Sequence, residues 1–163
     1  RINLKNELEK IALYSLKKQS INFDQIIKLT NLSENYNISE LIDQCLAGNK
    51  KKTIKILNEN IPSSEDNILI IKNFLFKLKR LKKLRENLEK NQSAEIAISS
   101  FKPTIFWKDK EIIRQQLKIW SIEKINIHIK KVNQIEGLIK KNSQLSSLTV
   151  NNFIFDSLEN INN

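Results

Sequence analysis

The sequence predicts an all-α fold, a helical bundle preceded by a shorter helical piece. Apolar residues recur with helical spacing along nearly the whole chain instead of alternating. The 163 residues include only 2 Gly and 2 Pro, too few for the turns that sandwiches and barrels require. No period of about 20–50 residues repeats, so a solenoid is not expected.

The elements follow in order. Over 4–16, the residues Leu4, Leu8, Ile11, Ala12 and Leu16 share one helical face. Residues 23–30 read as a short amphipathic helix with Asn22 as N-cap. Asn37 is expected to cap the next helix, whose stripe is Ile38, Leu41, Ile42, Cys45 and Leu46. Gly48 then stands where a left-handed C′ residue belongs. A helix over 51–59 is closed by Pro62. The longest helix is expected over 65–90, with Ile71, Phe74, Leu75, Leu78, Leu81, Leu84 and Leu88 on a broad arc. Lys72, Lys79, Lys83 and Lys90 lie opposite that arc, and Asn91 is the stop. Residues 93–99 form a short helix, and Phe101-Lys102-Pro103 breaks it because the residue before proline avoids the α region. A helix over 107–120 follows. Ser121 caps another, reaching Lys141, with Ile122, Ile125, Ile129, Val132, Ile135 and Ile139 on its core face. A last helix covers 148–158, before an Asn-rich tail expected to fray.

The formal charge of +10 is unevenly placed. Residues 1–49 are balanced, while 72–90 and 101–142 each carry +6. A near-neutral piece over 1–36 followed by a basic bundle over 37–163 is the expected organisation. Ile, Lys and Asn supply 72 of the 163 residues, and Arg only 4 of the 28 basic ones. Such a bias toward A/T-rich codons weakens the charge as a sign of nucleic-acid affinity. With no Met and Arg1 at its start, the chain is expected to be a piece of a longer protein. No apolar run nears the ~20 residues of a membrane span, no leader opens the chain, and a lone thiol suits a reducing compartment. A cytoplasmic location without membrane contact is the expectation.

Several chemistries are excluded. Two distant glycines cannot build a phosphate loop or dinucleotide fingerprint. One cysteine excludes a disulfide framework and a multi-cysteine zinc site. His128 has no acid or nucleophile at helical spacing and sits on the shoulder of an apolar stripe, so its expected role is structural. Cys45, among Leu41, Ile42 and Leu46, should be a small buried hydrophobe. Glu7/Glu9 and Glu65/Asp66 are too close in sequence to face each other on a helix. Glu65 and Asp66 instead suit a helix N-terminus. No catalytic residue, cofactor or metal ligand is expected, and the chain is not read as an enzyme.

The lysine stripe over 72–90 is read as the solvated back of a helix, with phosphate tracking as its rival. Phe106-Trp107-Lys108, with Lys102 and Lys110 nearby, places an aromatic among lysines at a helix opening. Such an arrangement can stack a nucleic-acid base, although Trp also serves as a core anchor. Glu136 and Lys140 form a favourable i,i+4 pair.

Four stretches go further. Asn6-Glu7-Leu8-Glu9-Lys10-Ile11-Ala12-Leu13-Tyr14 follows an E-L-E-K-L-x-x-Y helix pattern. Ile21-Asn22-Phe23-Asp24 and Glu34-Asn35-Tyr36-Asn37-Ile38 have the character of a short linker. Leu41-Ile42-Asp43-Gln44-Cys45-Leu46-Ala47-Gly48-Asn49 follows D-A-x-L-x-G-[DN], leading into a small helix ending at Leu57. Pro103-Thr104-Ile105-Phe106-Trp107-Lys108 runs on through Gln115, Leu117, Trp120 and Ser121 to Glu136 and Lys140. In order and spacing these resemble the C-terminal part of the delta subunit family of the bacterial DNA polymerase III clamp loader, in its alphaproteobacterial form. Asn91 and Gly137 depart from the family pattern, as does the scarcity of aromatics over 141–145.

The resemblance implies that 1–36 ends an AAA-like lid domain and that 37–163 is the helical collar of the loader. It implies a non-catalytic subunit of the nucleotidyltransferase complex, one that does not hydrolyse ATP. Its implied partners are gamma/tau and delta prime through the collar, the sliding clamp through an upstream domain, and primed DNA. Trp107, Lys108, Lys110, Lys140 and Lys141 are then the expected DNA contacts. The rival expectation is a free-standing basic helical module that binds nucleic acid.

Overall fold

A computed structural model describes residues 2–16, 20–22, 25–26, 32–59, 64–91 and 93–162. Every regular element among them is helical. The chain divides into two compact units, Arg1–Asn37 and Ile38–Asn163.

In the first unit, α1 spans Ile2–Ser15. Of its predicted face, Leu8, Ala12 and Leu16 are exposed and Ile11 is half-buried. The expected cap at Asn22 is present. Its Oδ1 accepts from the Gln25 amide at 2.9 Å, and Gln25 Oε1 accepts from the Asn22 amide at 3.3 Å. This is a reciprocal capping box. Most of the helix expected over 23–30 lies outside the described residues.

The next helix, α2, spans Leu32–Leu46, so Asn37 is interior to it and is not its cap. No Gly or Pro lies between Leu32 and Asn37 to stop a helix from propagating toward the N-terminus. The other end is as expected. Gly48 has φ 72°, the Gly48 amide donates to Cys45 O at 3.0 Å and the Asn49 amide to Gln44 O at 2.9 Å. Those two bonds define a Schellman motif. Helix α3 covers Lys50–Glu59, and the stop expected at Pro62 lies outside the described residues.

The bundle is built around α4 (Ser64–Asn91), which packs along α7 (Ile122–Lys141). It also touches α5 (Ala94–Ser99), α6 (Lys110–Ile119) and α8 (Ser146–Asn162). Helical spacing put Ile71, Phe74, Leu78, Leu81 and Leu84 on one arc of α4, and all are buried. Lys72, Lys79, Lys83 and Lys90 are exposed on the other side. Phe153 of α8 meets Phe74 edge-on, with ring centroids 5.1 Å apart. On α7, Ile125, Val132 and Ile139 are buried, while Ile122, Ile129 and Ile135 are half-buried. Each fully buried side chain of this size stabilises the fold by about 1.5–3 kcal/mol.

Some boundaries differ from the expectation. The helix expected from 107 opens as a 3₁₀ turn, Trp107–Asp109, before α6 begins. Trp120 is extended, and Ser121 caps α7 by accepting from the Lys124 amide at 3.2 Å. After a 3₁₀ turn at Ser143–Leu145, α8 starts earlier than expected and runs through the Asn-rich tail to Asn162. Asn67 explains the early start. Its buried Nδ2 reaches Ser146 Oγ at 3.2 Å and Ser147 Oγ at 2.8 Å, fixing the start of α8 from α4. Among the described residues no helix is long and apolar enough to cross a membrane.

Candidate functional site

Helix α4 places Phe76, Lys79, Arg80 and Lys83 on one face, at i, i+3, i+4 and i+7. Facing them is the 101–106 connection between α5 and the 3₁₀ turn. The connection is held because Phe101 and Ile105 are buried in the core. Between helix and connection lies a groove of about 440 Å³, with Lys102, Pro103 and Phe106 on its second side and Asp109 at its edge. Phe76 and Phe106 stand out at its borders, 64% and 57% exposed.

Trp107 is 68% exposed. Its ring is tilted against Phe106 at 5.7 Å between centroids, and Lys108 Nζ lies 5.4 Å from the indole centroid. A cation over an indole face is worth about 0.5–1 kcal/mol at an exposed site. The sequence left Trp107 open between core anchor and exposed platform; the fold places it outside the core.

The five expected contact residues are not gathered at one point. Trp107 and Lys108 touch, and Lys110 is half-buried at the first residue of α6. Lys140 and Lys141 end α7 and do not line the groove. Lys140 Nζ donates to Glu136 Oε1 at 2.6 Å. That bond, helped by Lys72 and Lys79, holds the Glu136 carboxyl below its ordinary range.

Phe76 and Arg80 were not singled out from the sequence. The signal was present: an aromatic inside the lysine stripe, one turn from Lys72 on one side and from Lys79 and Arg80 on the other.

Beneath the groove a buried polar network joins α2, α4 and α6. Lys77, only 6% exposed, donates to Ser39 O at 2.9 Å, to Ser39 Oγ at 2.8 Å and to Asp43 Oδ2. Gln116 Nε2 donates to Asp43 O at 3.1 Å, and Arg80 Nη2 lies 4.0 Å from Asp43 Oδ1. Burial pulls the Lys77 ammonium below its ordinary range, and Asp43 opposes that shift. The network is a satisfied structural pair, since each charge has a partner.

The two nucleophile or base candidates are likewise enclosed. Burial pushes the Cys45 thiol up to about 12, and its Sγ faces Ile154 O at 3.8 Å. A thiol so shifted carries almost no thiolate near neutral pH. The His128 ring stands edge-on to Trp120 at 4.5 Å, and its Nδ1 lies 3.0 Å from Lys124 O. A carbonyl only accepts, so the neutral ring carries its hydrogen on Nδ1. Burial lowers the His128 pKa from its ordinary value; the bond to the Lys124 carbonyl opposes that shift, and the charges of Lys131 and Lys124 add to it. Among the described residues no three His, Cys, Asp or Glu side chains converge as a metal ion would require.

This surface presents cations, exposed rings and an apolar recess. Comparison of the chain with protein-family models, curated proteins and solved structures finds no match.

Proposed function

We propose that this chain is the collar-forming C-terminal part of a clamp-loader delta subunit, a non-catalytic scaffold that supports loading of the sliding clamp onto primed DNA. The observation that carries the reading is where its two most distinctive stretches meet. Leu46 of the 41–49 stretch accepts from Trp120 Nε1 at 2.7 Å. Two residues that carry the resemblance thus tie α2 to the end of α6, which suits a scaffold whose geometry matters, and Gln116, outside those stretches, adds a bond to Asp43 O.

Apolar side chains remain uncovered on the outer helices. Ile127 and Leu138 are exposed eleven residues apart on one face of α7, and Leu148 and Phe155 are exposed on α8. In this reading they pack against the gamma/tau and delta prime subunits, driven by about 25 cal/mol per Å² of apolar surface removed from water. An upstream domain reaches the clamp, the loader works in the cytoplasm, and Trp107, Lys108, Lys110, Lys140 and Lys141 face primed DNA.

Reconstitution tests the assignment. Mixed with the motor and delta prime subunits of the same cell, the chain should co-elute as a stoichiometric ring member, and L138D/F155D should not. A chain that elutes alone and binds DNA with affinity falling linearly in log salt would instead be the free-standing nucleic-acid module. Within the assembled loader, W107A with unchanged primer-template affinity would remove the DNA contact while leaving the collar role intact.

A further inference from the structure

We infer that the groove between α4 and the 101–106 connection is a docking site for an acidic peptide segment of a partner protein, one carrying a bulky apolar side chain among its carboxylates. The inference stands apart from the collar reading and rests on the groove alone.

The groove has two kinds of wall. Its floor is apolar, with Phe101 and Ile105 presenting the little surface they keep, and Phe76 and Phe106 rising as exposed edges. Its rim is cationic from both sides, with Lys79 and Lys83 on α4 and Lys102 opposite. Among the described residues Lys83 and Lys102 make no hydrogen bond or ion pair with a carboxylate, and Lys79 feels the Glu136 carboxylate at longer range. Arg80 leans toward Asp43, and Asp109 is the one acidic residue of the lining. An apolar recess under a surplus of positive charge is complementary to a ligand that is apolar at its centre and negative around it.

Shape separates this ligand from a nucleic acid. A single strand follows a line of cations with bases laid on open ring faces. Here the ring best suited to stacking, Trp107, is outside the lining and has Lys108 over it. The cations instead surround a recess of about 440 Å³, within the range of a pocket that takes one compact group. A Phe or Leu side chain fits that description, with flanking carboxylates reaching the lysines.

The test uses the whole chain and a fluorescein-labelled peptide with a central Phe-Phe pair flanked by aspartates, read by fluorescence anisotropy. Saturable binding is expected, weakened about tenfold or more by K83E/K102E and by F76A, and unchanged in K130E, an exposed position of α7 outside the groove. All these positions are exposed, and circular dichroism verifies that each variant keeps its helices. A peptide with alanines in place of the Phe pair should bind at least about tenfold more weakly, since it leaves the recess empty. The inference is overturned if the labelled peptide does not bind, or if the alanine peptide binds equally. It is also overturned if an unlabelled oligothymidylate of equal charge displaces the peptide as well as the unlabelled peptide does, which would make the groove a nucleic-acid track.

Discussion

The indole Nε1–H of Trp120 donates a 2.7 Å hydrogen bond to the carbonyl of Leu46, the last residue of α2. Both residues are buried. A carbonyl in the last turn of a helix has no partner within that helix, so the indole satisfies a group that would otherwise be orphaned in the core. Trp120→Phe keeps most of the ring and removes the donor. It should cost about 1–3 kcal/mol, the desolvation penalty of a buried unpaired acceptor. Trp120→Ala should cost about 3–5 kcal/mol through the cavity it adds. Urea titration followed by circular dichroism measures both, and an unchanged midpoint for the Phe variant would show that the hydrogen bond is dispensable.

Cys45 should not react in the folded chain. With its thiol buried and pushed up to about 12, labelling by iodoacetamide at pH 8 should proceed only through unfolding. Adding denaturant should raise the rate by orders of magnitude. Rapid modification of the native chain would mean that α2 and α8 separate readily around Ile154.

Acid should weaken the fold through His128 before the carboxylates titrate. Its folded pKa is lowered below the ordinary 6.5, so it is held neutral by burial, near Lys131 and Lys124. The unfolded chain binds a proton more readily, and stability is lost as pH falls below about 6.5 toward the lower folded value. The urea midpoint should therefore drop between pH 7.5 and 5.5, and His128→Gln should flatten that slope. A wild-type slope that survives the substitution would assign the effect to other groups.

The two glycines should respond oppositely to alanine. Gly48 sits at φ 72°, where an L side chain costs about 1–2 kcal/mol. Gly137 lies inside α7, and a Cβ there meets nothing within 4 Å. Gly137→Ala should raise stability by about 0.5–1 kcal/mol through helix propensity and unfolded-state entropy. Thermal melts of the two variants should shift in opposite directions.

How far the sequence could be read depended on the range of the interaction. Asn22, Gly48 and Ser121 work within one turn of their own position, and their caps were legible as residue types at fixed offsets. The lysine stripe of α4 was legible too, because a period of 3.6 residues is a local property. The groove was not. It exists because the 101–106 connection returns to α4, and no spacing along one helix shows which loop will face it. Phe76 could have been picked out as an aromatic among lysines, but not as the edge of a recess.

The sequence by itself determined the helical class, the faces of α4 and α7, and the absence of any phosphate loop or disulfide framework. The tertiary structure alone decided that Lys77 is buried and that α8 is anchored by Asn67. Lys77 shares an arc with Leu81 and Leu84, and a lysine there reads as an interruption. Only when Asp43 and Ser39 arrive from a helix more than thirty residues away does the buried ammonium have partners. Helix periodicity is set by neighbours within a turn, whereas burying a charge requires a partner that the fold must bring.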